Sequence, residues 1–268
     1  MRVSNSTADW IERRRALQGK TIGFVPTMGA LHEGHASLVQ RARRENDLVV
    51  ASIFVNPSQF NDPTDLARYP RTMEADLALL ARLGVDEVFA PAIADLYPDG
   101  YRFRLETESV AGIMEGLHRP GFFQGVMTVV LKLLNLVRAD RAYFGEKDFQ
   151  QLRVITEMAA DLFIPTAIVP CPTLREASGL AMSSRNSLLS ETARRQAAAF
   201  YRILTEAATP EEARRQLTSQ GFRVDYIEEH WGRRFGAVFL EGIRLIDNVP
   251  LSEVACAAAE PVLAAQGV

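Results

Sequence analysis

Apolar residues along this chain fall into short, nearly unbroken runs, separated by longer stretches in which they recur every three or four positions. The runs are Thr21 to Val25, Asp47 to Val55, Val85 to Pro91, Arg141 to Phe144 and Ile164 to Pro172. Each is too short for a helix and rich in β-branched or aromatic residues, so each predicts a buried strand. Continuous apolarity suits strands covered on both faces, as in a parallel sheet. The first strand is expected to end at Pro26, and Tyr101 to Glu106, which alternates polar and apolar, predicts a half-exposed edge strand. Helical spacing fills the gaps: Thr7 to Leu17 with Trp10, Ile11 and Leu17 inward, and a helix from His32 with Leu38, Val39 and Ala42 on one face. Asp65 to Gly84 follows, burying Leu77, Leu79, Leu80 and Leu83 while Arg68, Arg71, Glu74, Asp76 and Arg82 face water. Leu117 to Gly125 reads as a turn-rich loop before a mostly interior helix, Val126 to Val137, and a further helix opens at Gly145 to Gln151 and runs through Leu162. Strand, helix, strand is a right-handed βαβ unit, and its repetition predicts an α/β fold with a Rossmann-like, doubly wound parallel sheet.

Beyond Ser187 the pattern changes. Ser190-Glu191-Thr192 caps a helix to Ala207, Thr209-Pro210 starts another, and Arg223 to Glu228 and Arg244 to Val249 read as strands. The expected division is residues 1–184, a Rossmann-like domain, and 185–268, a small C-terminal α+β lid domain, with a hinge at Ser184 to Leu189.

The chain has 268 residues, 47% hydrophobic and 24% charged, with a net charge of −3. That is an ordinary globular composition, and without a basic excess it argues against nucleic acid and for a small-molecule substrate. Cys171 and Cys256 stand far apart without zinc spacing and read as structural thiols. The amino-terminal stretch is polar, and no window is long and apolar enough for a membrane span, so the expected location is the cytoplasm.

Polar residues gather where strands end. After the first strand, His32-Glu33-Gly34-His35 stands at a helix start, where unpaired N–H groups and the positive end of the helix dipole favour phosphate. Gly29 and Gly34 leave room for a ligand, and the two imidazoles can donate to one anion, although a metal pair or a polar helix cap fits the same spacing. Asn56 to Phe60, Gly145 to Gln151 and Met182 to Asn186 are the other polar loops, expected to converge with the first on one cleft. Lys147 is a point charge for phosphate or else a surface partner of Glu146 and Asp148. Asp148 suits ribose hydroxyls or a metal, Gln59 and Gln151 suit hydroxyl or carboxylate recognition, and Ser183-Ser184-Arg185 forms a clamp for a triphosphate.

His32 to His35 resembles the His-x-Gly-His signature of the nucleotidylyltransferase and class I aminoacyl-tRNA synthetase superfamily. The longer string from Val25 to His35 resembles one member of it, the pantothenate synthetase (pantoate–β-alanine ligase) family. NPSQF, RPGFFQGVMTVVLKLLN, YFGEKDFQQL, REASGLAMSSRN, VDYI and RLIDNV resemble that family's blocks in order, while Glu229 to Gly242 does not align. The resemblance implies an ATP-dependent ligase that forms pantoyl adenylate with magnesium and passes the pantoyl group to β-alanine, as a homodimer. It implies that Met28, Gly29, Ala30, Leu31, His32, Glu33, Gly34, His35, Gly145, Glu146, Lys147, Asp148, Leu174, Met182, Ser183, Ser184 and Arg185 bind ATP. Gln59 and Gln151 hold pantoate, no protein metal ligand is implied, and His35, with His32, Lys147 and Arg185, is catalytic. A plain nucleotidylyltransferase, a tRNA synthetase and a non-catalytic nucleotide-binding module are the rivals: the second would need a nucleic-acid-binding extension, and the third would lack His35 or Lys147.

Overall fold

In β2 (Ile22–Thr27) the side chains of Ile22 and Phe24 enter one apolar core and that of Val25 enters another, the alternation of a strand buried on both faces. The computed structural model describes residues 1–108 and 110–251. The chain divides into two units, Met1–Arg175 with Met182–Ser184, and Glu176–Ala181 with the residues from Arg185 on. Cys256 lies outside the described residues.

The first unit runs β1 (Arg2–Ser4), α1 (Thr7–Arg15), β2, α2 (Glu33–Glu45), β3 (Leu48–Ile53), α3 (Pro63–Arg68), α4 (Met73–Arg82), β4 (Glu87–Phe89), α5 (Ile93–Leu96), α6 (Glu115–His118), α7 (Phe122–Val137), β5 (Arg141–Gly145), α8 (Phe149–Asp161) and β6 (Ala167–Cys171). Its six strands are ordered β1-β4-β3-β2-β5-β6, with every pair parallel. Trp10 of α1, most of α7 and Leu152, Ile155 and Met158 of α8 cover one face; Leu38, Val39 and Ala42 of α2 and Leu80 of α4 cover the other. This is the doubly wound α/β architecture that the apolar runs predict. Cys171 is a buried free thiol at the end of β6, and burial raises its pKa.

Several expectations are corrected. Pro26 does not end β2, which continues to Thr27. Odd-numbered residues of β2 bond to β3, as Leu48 N–H to Thr21 O and Phe54 N–H to Thr27 O show, and even-numbered ones face β5, as Asp140 N–H to Ile22 O shows. The β2–β5 pairing stops at Phe24, so the N–H that Pro26 lacks falls where no ladder needs it. Ile11 is 44% exposed, because the packed face of α1 is the i, i+3, i+4, i+7 set Trp10, Arg13, Arg14 and Leu17. Arg13 bonds Glu87 at 2.7 Å and Arg14 bonds Val137 O at 2.7 Å. The helix expected from Asp65 to Gly84 is two helices, α3 and α4, because Pro70 pushes Tyr69 out of the helical region to ψ 126. Asp76 does not face water but is 2% exposed. Tyr101 to Glu106 forms no strand: Tyr101 is left-handed (φ 65), and the N–H groups of Phe103 and Leu105 bond to the Asp99 carboxylate and the Thr128 hydroxyl. The stretch Leu117 to Gly125 is largely helical, in α6 and the first turn of α7. β1, too short for a periodic signal, pairs with β4.

The second unit holds α9 (Glu191–Glu206), α10 (Pro210–Ser219) and an antiparallel sheet β7 (Arg223–His230), β8 (Arg233–Leu240) and β9 (Ile243–Pro250). Both helices pack on the sheet through Phe200, Ile203, Leu204, Leu217, Ile227 and Val238. The unaligned stretch is the central strand β8. Its flanking turns, Trp231-Gly232 and Glu241-Gly242, have positive φ at both residues, the geometry that suits a two-residue hairpin.

Candidate active site

Beyond β2 the chain turns sharply. Thr27 Oγ1 donates to Ser52 O at 2.7 Å and accepts the N–H of Gly29. Gly29 (φ 77) and Ala30 (φ 49) are both left-handed. Gly29 is required: a Cβ there would stand 2.9 Å from Asp76 Oδ2 in a backbone conformation that costs any other residue. The Asp76 carboxylate accepts the N–H of Ala30 at 2.9 Å and of Leu31 at 2.8 Å. His32 then caps α2, its Nδ1 accepting the N–H of Gly34 at 3.1 Å, and His35 Nδ1 accepts the N–H of His32 at 3.3 Å. The ring centroids are 4.1 Å apart.

This cap sets the chemistry. A neutral imidazole whose Nδ1 accepts must carry its proton on Nε2, so both rings present an Nε2–H donor. Burial, with the Lys147 charge beside it, lowers the His32 pKa to about 4; burial, then His32 and Lys147, lowers His35 to about 3. The site thus holds two neutral donors at pH 7. Glu33 is exposed, while Met28 and Leu31 are half-buried.

Gly145 ends β5, and Glu146–Asp148 forms a single 3₁₀ turn before α8. Lys147 therefore does not sit inside the first α-helical turn, as its sequence position suggests, but in the connection that precedes it. Its side chain is 19% exposed, against 45% for Asp148, and Nζ stands 3.6 Å from Asp148 Oδ1. β5 pairs with β2 in parallel, so this turn leaves the sheet at the same edge as the His turn. Met182–Ser184 reaches the same place: Ser184 Oγ donates to Ala30 O at 3.0 Å, and a Cβ on Gly34 would meet Met182 Cβ at 3.3 Å. Leu174 O accepts the Met182 N–H at 3.0 Å, and Ser183 is half-buried. Arg185 begins the second unit, in the 3₁₀ turn Ser184–Leu188. Three of the four polar loops of the sequence thus meet in the first unit.

The fourth, Pro57–Gln59 with Asn56, is built on α7. Asn56, 1% exposed, donates from Nδ2 to Gln59 Oε1 at 3.0 Å and to Gly125 O at 3.1 Å, and its Oδ1 accepts the Tyr97 hydroxyl at 2.8 Å. Burial raises the Tyr97 pKa to about 12, so that hydroxyl stays a donor. Because Oε1 of Gln59 is engaged, its NH2 is the end left to donate. Arg119 Nη2 bonds Gln59 O at 3.1 Å. Gln151 is half-buried in the first turn of α8, and no hydrogen bond joins it to Gln59; its neighbour Gln150 is buried and bonds Val110 O and Ile113 O. The sequence reading did not single out Asp76, Tyr97 or Arg119 as site residues. Asp76 stands four residues from Thr72 among charged residues, the pattern of a solvated helix face, and nothing in the sequence distinguishes it.

Among the described residues no three His, Cys, Asp or Glu side chains gather as a metal site, and no helix is long and apolar enough to cross a membrane.

The pantoate-beta-alanine ligase family model matches residues 1–250. The pantothenate synthetase of Bdellovibrio bacteriovorus is 52% identical over 237 residues, 88% of this chain and 94% of that protein. That of Legionella pneumophila (strain Corby) is 47% identical over 249 residues, 92% and 99% of the two. Among solved structures, the pantoate-beta-alanine ligase of Francisella tularensis, complexed with beta-gamma ATP and beta-alanine, superposes with a TM-score of 0.90 at 44% identity, over 93% of this chain and 97% of that one. The pantothenate synthetase of Thermus thermophilus gives 0.86 at 43%, over 93% and 99%. Matched along nearly its whole length by sequence and by fold, the chain belongs to the pantoate–β-alanine ligase family and is a carbon–nitrogen ligase that joins pantoate to β-alanine.

Proposed function

We propose that ligation proceeds through a pantoyl adenylate formed at the His turn. A pantoate carboxylate oxygen attacks the α-phosphorus of ATP, the bond to the bridging oxygen breaks and pyrophosphate leaves. The β-alanine nitrogen then attacks the acyl carbon, the carbon–oxygen bond to AMP breaks, and the amine gives up a proton. No covalent enzyme nucleophile is required, so the protein contributes positioning and charge stabilisation. The observation that carries this reading is the pair of neutral imidazoles with Nε2–H donors beside the Lys147 ammonium, a cation-and-donor set suited to charge growing on a leaving pyrophosphate.

In this reading the nucleotide lies along Met28 to His35, Gly145 to Asp148, Leu174 and Met182 to Arg185, and His35 is the main catalytic donor, with His32, Lys147 and Arg185. Gln59, donating through its NH2, and Gln151 hold pantoate. Asp148 is the carboxylate that would face a magnesium ion bound with the nucleotide, and such an ion would neutralise phosphate charge there. The unit from Arg185 on acts as a lid, the enzyme works in the cytoplasm, and it is a homodimer; sedimentation showing only monomer at micromolar concentration would refute the last point.

The test is isotope exchange. Pantoate alone should support exchange of labelled pyrophosphate into ATP, because the adenylate forms before the amine enters. A strict requirement for β-alanine would eliminate the two-step scheme.

A further inference from the structure

We propose that Asp76 is a positioning residue for the nucleotide: its carboxylate fills the anion-binding hollow of the Gly29-Ala30 turn and so fixes the turn that aims His32 and His35. The proposal rests on the nucleotide reading of the His turn.

Two consecutive left-handed residues point the N–H groups of Ala30 and Leu31 the same way, and such a hollow ordinarily takes an anion. Here each N–H meets its own oxygen of one carboxylate, at 2.9 Å and 2.8 Å, and the Thr72 hydroxyl adds a third bond to Oδ1 at 3.2 Å. Asp76 is 2% exposed, so its charge is held by these donors rather than by water. Ala30 is not glycine, and a non-glycine residue stays left-handed only where its surroundings hold it.

Two consequences follow for the site. The donors at Ala30 and Leu31 are occupied, so phosphate is left to the Nε2–H groups of His32 and His35 and the Lys147 ammonium. The turn also enters α2 directly, one residue separating Leu31 from Glu33, so the direction of the His32 cap depends on where Asp76 holds Leu31. The same turn carries Ala30 O, the acceptor of Ser184 Oγ. A buried carboxylate on α4 therefore sets the seat of two groups assigned to the nucleotide.

The experiment is steady-state kinetics of the full chain carrying Asp76→Asn, varying ATP and pantoate separately, with thermal melting alongside. Asparagine keeps the size and one acceptor but turns an NH2 toward one of the two N–H groups. The KM for ATP should rise about tenfold or more while that for pantoate changes by less than about twofold. Thr72→Val, which removes only the third bond, should give a smaller shift in the same direction, and it carries the test if Asp76→Asn does not fold. A lowered melting temperature with both KM values and kcat unchanged would make Asp76 merely structural and overturn the proposal. Recovery of the ATP KM at raised magnesium would make it a cation ligand and overturn it equally. His35→Ala in the same assay separates the layers: if that variant is normal the nucleotide reading itself fails, whereas a crippled His35→Ala beside normal Asp76→Asn and Thr72→Val defeats only the role given to Asp76.

Discussion

His35 Nδ1 accepts the backbone N–H of His32 at 3.3 Å while the two rings lie 4.1 Å apart, so the imidazole assigned to catalysis is oriented by the backbone of its neighbour. With both Nδ1 atoms accepting, the proton of each neutral ring sits on Nε2.

Replacing His35 with Ala should cut kcat by about 10²–10³ with less effect on ATP binding, the pattern of a donor that matters most in the transition state. Because His35 also closes the cap, the melting temperature should fall slightly. An unchanged kcat in rapid-mix and steady-state assays would reduce His35 to a helix-start residue.

The low imidazole pKa values make an acid-stability prediction. Unfolded, both histidines bind protons near 6.5; folded, they do so only near 4 for His32 and 3 for His35. Below pH 6.5 the unfolded chain thus binds more protons, and acidification destabilises the fold. The contribution is fully present above pH 6.5 and declines as pH falls through about 4 for His32 and about 3 for His35. Melting curves of the wild type should be flat from pH 7 to 8 and drop below pH 6.5, and His32→Gln with His35→Gln should remove part of that drop. A melting temperature that rose on acidification would contradict the neutral pair.

Lys147→Met should leave the melting temperature unchanged or slightly higher and lower adenylation about 10²-fold or more, read by pyrophosphate exchange. If Lys147 were only a surface partner of Asp148, the variant would lose less than about 1 kcal/mol of stability and keep near-normal exchange.

Gly125→Ala tests how the Gln59 turn is seated. A Cβ at Gly125 would lie 2.4 Å from Ser58 O and 2.8 Å from Gln59 N, backbone atoms that cannot swing aside. The variant should lose about 1–3 kcal/mol of stability and raise the KM for pantoate. Gly112→Ala, where nothing lies within 4 Å, is the control and should stay within about 0.5 kcal/mol of wild type.

The main elements were legible because their signals are local. A strand covered on both faces must be apolar at every position, and β2, β3 and the middle of β5 announce themselves that way, whereas β6 is apolar although it is a half-exposed edge strand. The His turn, Gln59 and Lys147 stood out as candidates because polar residues and glycines stood where apolar runs stopped. Other features were hidden by compensation. Pro26 continues β2 because its missing donor faces a ladder that has already ended. β8 begins with two arginines and contains Gly236, which masks its alternation.

By itself, then, the sequence determined the α/β architecture, the apolar runs that become β2, β3, β4, β5 and β6, and the polar loops that follow strand ends, since periodicity and the residues at strand ends are properties of neighbouring positions. Only the tertiary structure decided that the imidazoles are neutral Nε2–H donors, that Asn56 turns the amide of Gln59, and that Asp76 on α4 holds the Gly29-Ala30 turn. Protonation and hydrogen-bond direction depend on burial and on partners far away in the chain. Leu31 and Asp76 stand 45 positions apart, and nothing local to either records that the two meet.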